Sequence, residues 1–531
     1  MLQSPTHRVA AAPDHQAPHA LWPRRLEAAD ARSLGLIIFV ISFVILAAWR
    51  LFSQLETGDA AIWDYVAQAI LRGQVPYRDV VEIKGPASAY LSAMAMCVGR
   101  RVGGGDVLAV RFLQMAIASG LSAVIYLVTD RYTRRRAAAL VAALFPLTSY
   151  HFVSWVEGGT QPKLTMIFFG MLALWLTAED RPFWAGFFAM LACLSWQPGL
   201  LFAGVAVLIF SRYLTSWRDR RALKVIIGAL LPLAVTVAYF YLQGALGDLW
   251  TWAVAYDFNV YAPEGMRNMG DTRAHLWVVL LRVFRVNIVW VAMAVTGFVI
   301  FAAERLRAWR TIKAALGSAG LFKDALVIAS LVYLAFCLIN FQSGPDLLPL
   351  FPFIGIFAGW LIEEVARRLA SRRPDESKVE SKPVLRRWVE RAPALAFMLV
   401  LILASVRAAT FRMEDQSLRD QAQALQPAMN LVGPDDKVYV HGTAELLVFM
   451  NRANLNPYIM WDRRKVDYIA ARRYGGSVQA MIAEMEAEAP RLVALSRLRN
   501  IPQAAELERW VAAHYDKLPV PDYDIYVRKP Q

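Results

Sequence analysis

The sequence predicts a polytopic α-helical membrane protein with about eleven transmembrane helices and a small C-terminal α/β domain outside the membrane. Of its 531 residues, 57% are hydrophobic and 19% are charged, whereas typical soluble proteins carry about 25% charged residues. Apolar stretches of bilayer-crossing length recur along most of the chain, and short basic loops separate them. These observations exclude an ordinary soluble protein.

The predicted spans are the long apolar windows of the chain. They cover residues 34–52, 107–128, 137–153, 161–177, 183–195, 199–214, 223–243, 276–301, 323–340, 346–366 and 393–410. The fifth and sixth are short, and a tight turn around Pro198 separates them. Residues 87–101 are also apolar but end in two arginines, so they predict a helix that lies at the membrane interface.

The distribution of charge predicts the topology. The net charge is +14, and Lys and Arg cluster in alternate loops, whereas the loops 154–160, 195–198 and 341–345 contain neither. The positive-inside rule explains this alternation better than a nucleic-acid footprint does. It predicts a cytoplasmic tail at 1–33 and a multi-pass protein of the cytoplasmic (inner) membrane. The first loop, 53–106, is then outside the cytoplasm.

Residues 411–531 differ in character from the rest of the chain. Short apolar segments typical of strands occur at 438–442, 458–461, 492–495 and 523–527. Helical patterns near 414–431, 476–488 and 502–514 lie between or before them. Such alternation predicts a small α/β domain, periplasmic or extracellular by the topology. It contains no glycine-rich phosphate loop, so it is expected to act as a lid or docking module rather than to bind a nucleotide.

The first outer loop contains acidic, aromatic and basic residues in that order. The ionised form of a carboxylate just outside the hydrocarbon layer has a low free-energy cost, because water and headgroups solvate it. Asp59 and Asp64 are five residues apart and would point roughly 140° apart on a helix, so they are not expected to face each other. A second outer loop holds Glu157 among glycines and aromatic residues. Adjacent outer loops of a bundle meet, so Asp59 and Glu157 are expected to share a cavity.

These loops resemble a known family. The chain is similar to the GT-C fold glycosyltransferases that depend on polyprenyl phosphate, namely the GT39-like relatives of protein O-mannosyltransferases and the lipid A aminoarabinose transferases. That family has an aspartate after the first span, an aromatic residue, an Ala-x-x-Leu-x-x-Gly element and an acidic-basic-Pro element. The matching residues are Asp59, Trp63, Ala67, Ile70, Leu71, Gly73, Pro76-Tyr77-Arg78-Asp79 and Glu82-x-Lys84-Gly85-Pro86. The resemblance covers residues 34–410, which it implies form the catalytic membrane domain.

The chain also departs from the family pattern. Ala60 replaces the glutamate that usually follows the aspartate, and Lys84-Gly85-Pro86 replaces the commoner Lys-Pro-Pro. Either Glu157 meets the second acidic position of the family, or Gln161 replaces the acidic residue there. No cofactor is indicated, and the three cysteines lie far apart without metal-ligand spacing. Dependence on a divalent metal stays open.

The resemblance implies transfer of a sugar from a polyprenyl-phosphate-linked donor to the hydroxyl of a glycan, lipid or protein. A phosphate is a good leaving group, so one base that deprotonates the acceptor suffices, with inversion by direct displacement. The predicted base is Asp59, with Glu157 and Asp64 as further catalytic candidates. Asp59 is alternatively a helix cap, and Asp64 is alternatively the partner of an arginine such as Arg78.

Cationic groups must hold the lipid phosphate. Lys84 and Arg78 are the first candidates for this role. The complete predicted set of substrate and phosphate contacts is Lys84, Arg78, Glu82, Tyr77, Lys163, Arg267 and Arg273. Lys84 is alternatively an interfacial lysine that extends its ammonium group towards water.

Two other functions fit a membrane protein of this kind: a transporter or flippase of lipid-linked saccharides, and an inactive assembly subunit. Transporters often contain internal repeats and charges at the bilayer midplane. The sequence shows no repeat between its halves. Its acidic groups collect at one outer surface, which favours chemistry there.

Overall fold

The structure is a computed structural model. It describes residues 30–49, 55–56, 58–212, 219–261, 277–278, 280–311, 318–339, 344–371, 383–410, 417–459, 468, 478–496 and 503–530. Most of these residues are helical, as the composition predicts. The helices up to residue 410 form one part, and a sheet with its own helices follows.

The first part consists of helices joined by short loops. They are α1 (Ala31–Ala48), α2 (Gly58–Leu71), α3 (Ala87–Arg101), α4 (Asp106–Thr133), α5 (Arg136–Leu144), α6 (Tyr150–Glu157), α7 (Pro162–Ala178), α8 (Pro182–Ser195), α9 (Leu200–Arg212), α10 (Arg221–Leu242), α11 (Leu246–Trp250), α12 (Ile288–Thr311), α13 (Ser318–Ile339), α14 (Leu350–Ser371) and α15 (Pro383–Thr410). Two π-helical turns, Thr251–Ala255 and Asp257–Tyr261, extend α11.

Every predicted span overlaps one of these helices. Among the described residues, five helices are long and apolar enough to cross a membrane, or six if one bent pair counts as a single span. Helices α7, α8 and α9 are apolar but shorter. The helical membrane architecture is therefore confirmed, and the number of eleven spans stays a prediction. The expected interface helix is α3, and its position relative to the bilayer also stays a prediction.

The third predicted span is bent rather than straight. Residues Arg136–Thr148 and Tyr150–Val156 meet at an angle of 71°. Pro146 lies in the 3₁₀ turn at the break, where proline disfavours a continuous helix. Ser149 then adopts an extended conformation, and its side chain caps α6 by accepting the backbone N–H of Phe152. The bend separates α6 from α5, and the residues that follow α6 pack against α2.

The C-terminal part contains a four-stranded sheet. Its elements are α16 (Leu418–Asn430), β1 (Val438–His441), α17 (Ala444–Met450), α18 (Val478–Glu488), β2 (Leu492–Leu495), α19 (Ala504–His514), β3 (Tyr515–Lys517) and β4 (Ile525–Arg528). The strand order is β1-β2-β4-β3, with β1 and β2 parallel and the other pairs antiparallel. An α/β arrangement is thus present, and the domain boundary at residue 411 stays a prediction.

One predicted strand does not form as expected. Tyr458 and Ile459 are not in a strand, and residues 460–461 lie outside the described residues. The side-chain amide of Asn454 takes the place of a neighbouring strand, because it accepts the N–H of Val440 at 2.7 Å and donates to its carbonyl at 2.9 Å. The short strand β3, which no pattern predicts, follows α19 directly.

The C-terminal sheet shares its hydrophobic core with the first outer loop. Ala61 and Val66 of α2 pack in the same buried cluster as Val438 of β1 and Leu492 of β2. In addition, the N–H of Val81 donates to the carbonyl of Pro457 at 2.9 Å. The sheet therefore lies directly against the loop that carries the predicted active-site residues.

Candidate active site

Helix α2 presents Asp59 to solvent. The helix begins at Gly58, whose φ of +59° lies in the left-handed region that glycine adopts without penalty. Asp59 occupies the first turn, and its side chain is exposed. A carboxylate at a helix N-terminus is favoured by the partial positive charge of the exposed N–H groups. The carboxyl group of Asp59 is therefore accessible, as a base for an external substrate must be.

Two other carboxylates of the same region are completely buried. Glu56 and Asp64 both have 0% exposure. Asp64 Oδ1 accepts the N–H of Thr160 at 2.9 Å and its hydroxyl at 2.5 Å, and Glu56 lies 3.4 Å from the buried guanidinium of Arg111. Burial raises the pKa of Asp64 to about 6. Burial, and then the charge of Asp64, raise the pKa of Glu56 well above its usual range. Both carboxyl groups therefore take up protons at a higher pH than they would in water.

The remaining oxygens of this pair flank a small gap at Gly159. A Cβ atom on Gly159 would lie 2.7 Å from Asp64 Oδ2 and 3.2 Å from Glu56 Oε1. Glu56 and Asp64 also interact with each other through a side-chain hydrogen bond. Gly159 also has a φ of +120°, which side chains disfavour. Only glycine fits this position without displacing a carboxylate.

The segment that contains Gly158 and Gly159 packs on the start of α2. A Cβ atom on Gly158 would lie 3.8 Å from the Cβ of Ala60, so the backbone that follows Glu157 lies beside the residue next to Asp59. Glu157 is the last residue of α6, and its side chain lies outside the described part of the chain. A cavity shared by Asp59 and Glu157 stays a prediction.

Two buried lysines approach the same aromatic ring. The Nζ atoms of Lys84 and Lys163 lie 5.5 Å and 4.9 Å from the ring centroid of Trp196, within the range of cation–π attraction. Both lysines are at least nine-tenths buried, and Trp196 is 4% exposed. This group, which we call the lysine pair, concentrates two positive charges in a region of low dielectric.

A carboxyl group lies near each lysine of the lysine pair. Lys163 Nζ donates to Asp346 at 2.6 Å. Burial raises the pKa of Asp257 to about 6, and the nearby charge of Lys84 partly opposes this increase. Asp257 Oδ1 is buried without a hydrogen-bond partner among the described residues. Asp346 and Asp257 therefore offset the positive charge of the lysine pair.

Tyr77 and Glu82 hold the backbone around Lys84. The hydroxyl of Tyr77 donates to the carbonyl of Lys84 at 2.6 Å, and Glu82 Oε1 accepts the N–H groups of Ile83 and Lys84, each at 2.8 Å. Tyr77 is fully buried and has a φ of +72°, a conformation that costs about 1–3 kcal/mol in a bulky residue. These two residues fix Lys84, and their direct contact with a substrate stays a prediction.

The predicted cation Arg78 has partners of its own. Arg78 forms two hydrogen bonds to Asp79, at 2.8 and 2.9 Å, and one to the carbonyl of Gln243 at 2.6 Å. The partner of Arg78 is therefore Asp79, not Asp64. Arg267 and Arg273 lie outside the described residues.

A four-residue segment, Thr160–Lys163, connects the acidic pair to the lysine pair. Thr160 binds Asp64 at one end, and Lys163, in the first turn of α7, contacts Trp196 at the other. Gln161 caps α7 by accepting the N–H of Lys163 at 3.3 Å. Within the described residues, no group of three or more His, Cys, Asp and Glu side chains is arranged to hold a metal ion.

The fold defines a helical membrane protein of the GT-C architecture. The chain is similar in structure to ArnT from Cupriavidus metallidurans bound to undecaprenyl phosphate, with a TM-score of 0.57 at 13% identity over 94% of this chain and 99% of that one. It is also similar to the oligosaccharyltransferase AglB from Archaeoglobus fulgidus in complex with an inhibitory peptide and a dolichol-phosphate. For AglB the TM-score is 0.53 at 13% identity, over 93% of this chain and 74% of that one.

Comparison at the level of sequence gives no match. Neither a protein-family model nor a curated protein matches the chain. The structural comparison nevertheless confirms the fold that the family resemblance implied, although sequence identity is low.

Proposed function

We propose that the chain is an integral membrane glycosyltransferase that moves a sugar from a polyprenyl-phosphate-linked donor to an acceptor hydroxyl, with inversion and with Asp59 as the general base. The reaction takes place on the periplasmic or outer face of the cytoplasmic membrane. The observation that carries the proposal is the lysine pair on Trp196, joined by Thr160–Lys163 to the acidic region. It occurs in a fold shared with a protein bound to undecaprenyl phosphate.

The chemistry requires one base and one anion site. The acceptor oxygen attacks the anomeric carbon while the bond from that carbon to the phosphate oxygen breaks. The polyprenyl phosphate leaves as an anion, and the acceptor proton passes to Asp59. Asp59 suits this role because its carboxylate is accessible. Asp64 suits it less, because it is completely buried and bound to Thr160.

The lysine pair provides the anion site. A phosphate beside Lys84 and Lys163 would form charge-assisted hydrogen bonds, each worth roughly 1.5–3 kcal/mol. Because both lysines are already buried and held in place, little reorganisation accompanies the growth of negative charge on the leaving phosphate. Asp346 and Asp257 neutralise the pair before the anion binds.

The proposal is tested with the purified full-length protein in lipid nanodiscs. Undecaprenyl phosphate carrying a radiolabelled mannose, glucose or aminoarabinose is supplied with lipid, glycan and protein acceptor fractions. Release of free undecaprenyl phosphate together with label on an acceptor supports the glycosyltransferase. Movement of intact donor across a vesicle bilayer without cleavage would identify a flippase instead. Neither activity with any donor would favour an assembly subunit.

A further inference from the structure

The C-terminal domain contacts the chain just before the proposed base. We propose that this domain positions the active site and that Gln421 is the positioning residue through which it acts. The inference rests on the proposed function, because the group positioned is Asp59. It adds a role for a part of the chain that contributes no proposed catalytic group.

The side-chain amide of Gln421 binds both the backbone N–H and the backbone carbonyl of Glu56. Its Oε1 accepts the N–H of Glu56 at 2.8 Å, and its Nε2 donates to the carbonyl of Glu56 at 2.7 Å. The same Nε2 lies 2.8 Å from the hydroxyl oxygen of Tyr523. Gln421 is 4% exposed and lies in α16, 365 positions from Glu56. The buried side-chain amide of Gln421 thus hydrogen-bonds to both backbone polar groups of Glu56, in the place of a backbone partner.

Glu56 lies just before α2 and helps to set the direction in which the chain enters this helix. Glu56 precedes Asp59 by three positions, and its side chain is buried beside Arg111. Gly58 then turns the chain with a φ of +59°. The backbone and the side chain of Glu56 are both held by hydrogen bonds, three positions before Asp59 at the start of α2. Without Gln421, the backbone of Glu56 loses two of the hydrogen bonds that define this start.

Other polar contacts dock the C-terminal domain further along the same helix. The N–H of Asn454 donates to the hydroxyl of Tyr65 at 2.8 Å, and Gln68 donates to the carbonyl of Val448 at 3.0 Å. Arg72, just after α2, donates to Asn451 at 3.1 Å. The domain therefore remains docked when Gln421 is changed, and the consequence of the change is local to the start of α2.

The expected consequence is kinetic. A base displaced by about 1 Å from its productive position can lose on the order of 100-fold in rate. The lysine pair contacts Trp196, whereas Gln421 binds Glu56 and Tyr523. We therefore expect a change at Gln421 to lower kcat by about 10- to 100-fold without changing the affinity for the lipid phosphate.

The experiment compares Gln421→Met with two controls in the full-length protein. Gln423→Met changes an exposed residue of the same helix, and Arg72→Met weakens docking at the far end of α2. The readouts are kcat with the donor found above, the Kd for undecaprenyl phosphate, and hydrogen exchange of the peptide containing Glu56. For Gln421→Met, kcat falls, Kd stays within about twofold, and exchange accelerates in that peptide. Both controls keep the kcat of the unchanged protein.

Two results would overturn the inference. One is a kcat that is unchanged in Gln421→Met although exchange at Glu56 accelerates. The other is an equal loss of kcat in Arg72→Met, which would indicate general docking instead. If Gln421→Met does not fold, Gln421→Asn tests the same point, because the shorter amide cannot reach both partner atoms. Full transfer by Asp59→Asn would contradict the proposed function itself, whatever the result at Gln421.

Discussion

The carboxylate of Asp64 accepts two hydrogen bonds from Thr160, at 2.9 and 2.5 Å, although the two residues are 96 positions apart. The contact joins α2 to the segment that leads to Lys163. In this way the loop that carries Asp59 is held against the segment that precedes α7, and a catalytic role of Asp64 stays a prediction.

Replacing Asp64 with asparagine is expected to preserve stability at neutral pH. The folded protein raises the pKa of Asp64 from its ordinary 3.8 to about 6, so it binds the proton more tightly than the unfolded chain does. This contribution to stability is full below about pH 4 and is lost as the pH rises through 6. Asparagine imitates the protonated form. Thermal unfolding of Asp64→Asn should therefore give a Tm at pH 7 equal to or above that of the unchanged protein.

The exposed Asp435 provides the control for this measurement, because Asp435→Asn should leave Tm at pH 7 unaltered. Asp64→Asn should also retain sugar transfer. A large fall of its Tm at pH 7, or loss of transfer with normal folding, would mean that the ionised Asp64 carboxylate is required.

Replacement by alanine is expected to have different effects at the adjacent glycines Gly158 and Gly159. Gly159→Ala places a Cβ 2.7 Å from Asp64 Oδ2 and forces a side chain into a φ of +120°, at a cost of about 1–3 kcal/mol or more. Gly158→Ala meets its nearest neighbour at an ordinary 3.8 Å. Gly159→Ala should lower both Tm and transfer, and Gly158→Ala should change little. Equal behaviour of the two variants would show that the gap beside the carboxylates has no such importance.

Lys84→Met should weaken binding of undecaprenyl phosphate. Loss of one charge-assisted hydrogen bond of about 1.5–3 kcal/mol corresponds to roughly 10- to 100-fold in Kd. Lys163→Met also leaves the buried Asp346 without its ion-pair partner, so Lys163 is tested together with Asp346→Asn. Lys224→Met, at an exposed position in α10, is the control. Binding measured by native mass spectrometry that is equal in Lys84→Met and Lys224→Met would remove Lys84 from the phosphate site.

Much of the fold follows from local sequence. The apolar windows locate the membrane helices, since bilayer thickness sets their length. The alternation of strands and helices after residue 411 predicts the α/β part. The bend at Pro146 and the amide of Asn454 beside β1 depend on contacts between particular atoms, which periodicity does not encode. Strand β3 has three residues, too few to give a pattern.

The candidate site could be predicted only in part. Its first loop was found because Asp59, Trp63 and Lys84 match a spaced motif. Glu56 was missed because its burial depends on Arg111 and Gln421, both distant in sequence. Trp196 stands beside the tight turn at Pro198, and no spacing rule links it to the two lysines that contact it. Local sequence reports the residue types that chemistry needs, whereas long-range packing decides which of them meet.

The central claim is that Asp59 is the base of a sugar-transfer reaction. Its most direct test is the rate of sugar transfer by Asp59→Asn, measured in nanodiscs with the donor that supports transfer by the unchanged protein. The asparagine keeps the shape and the exposed position of the side chain but cannot accept the acceptor proton. We expect a fall in kcat of at least about 100-fold, with Tm and undecaprenyl phosphate binding unchanged. Transfer at the rate of the unchanged protein would contradict the claim.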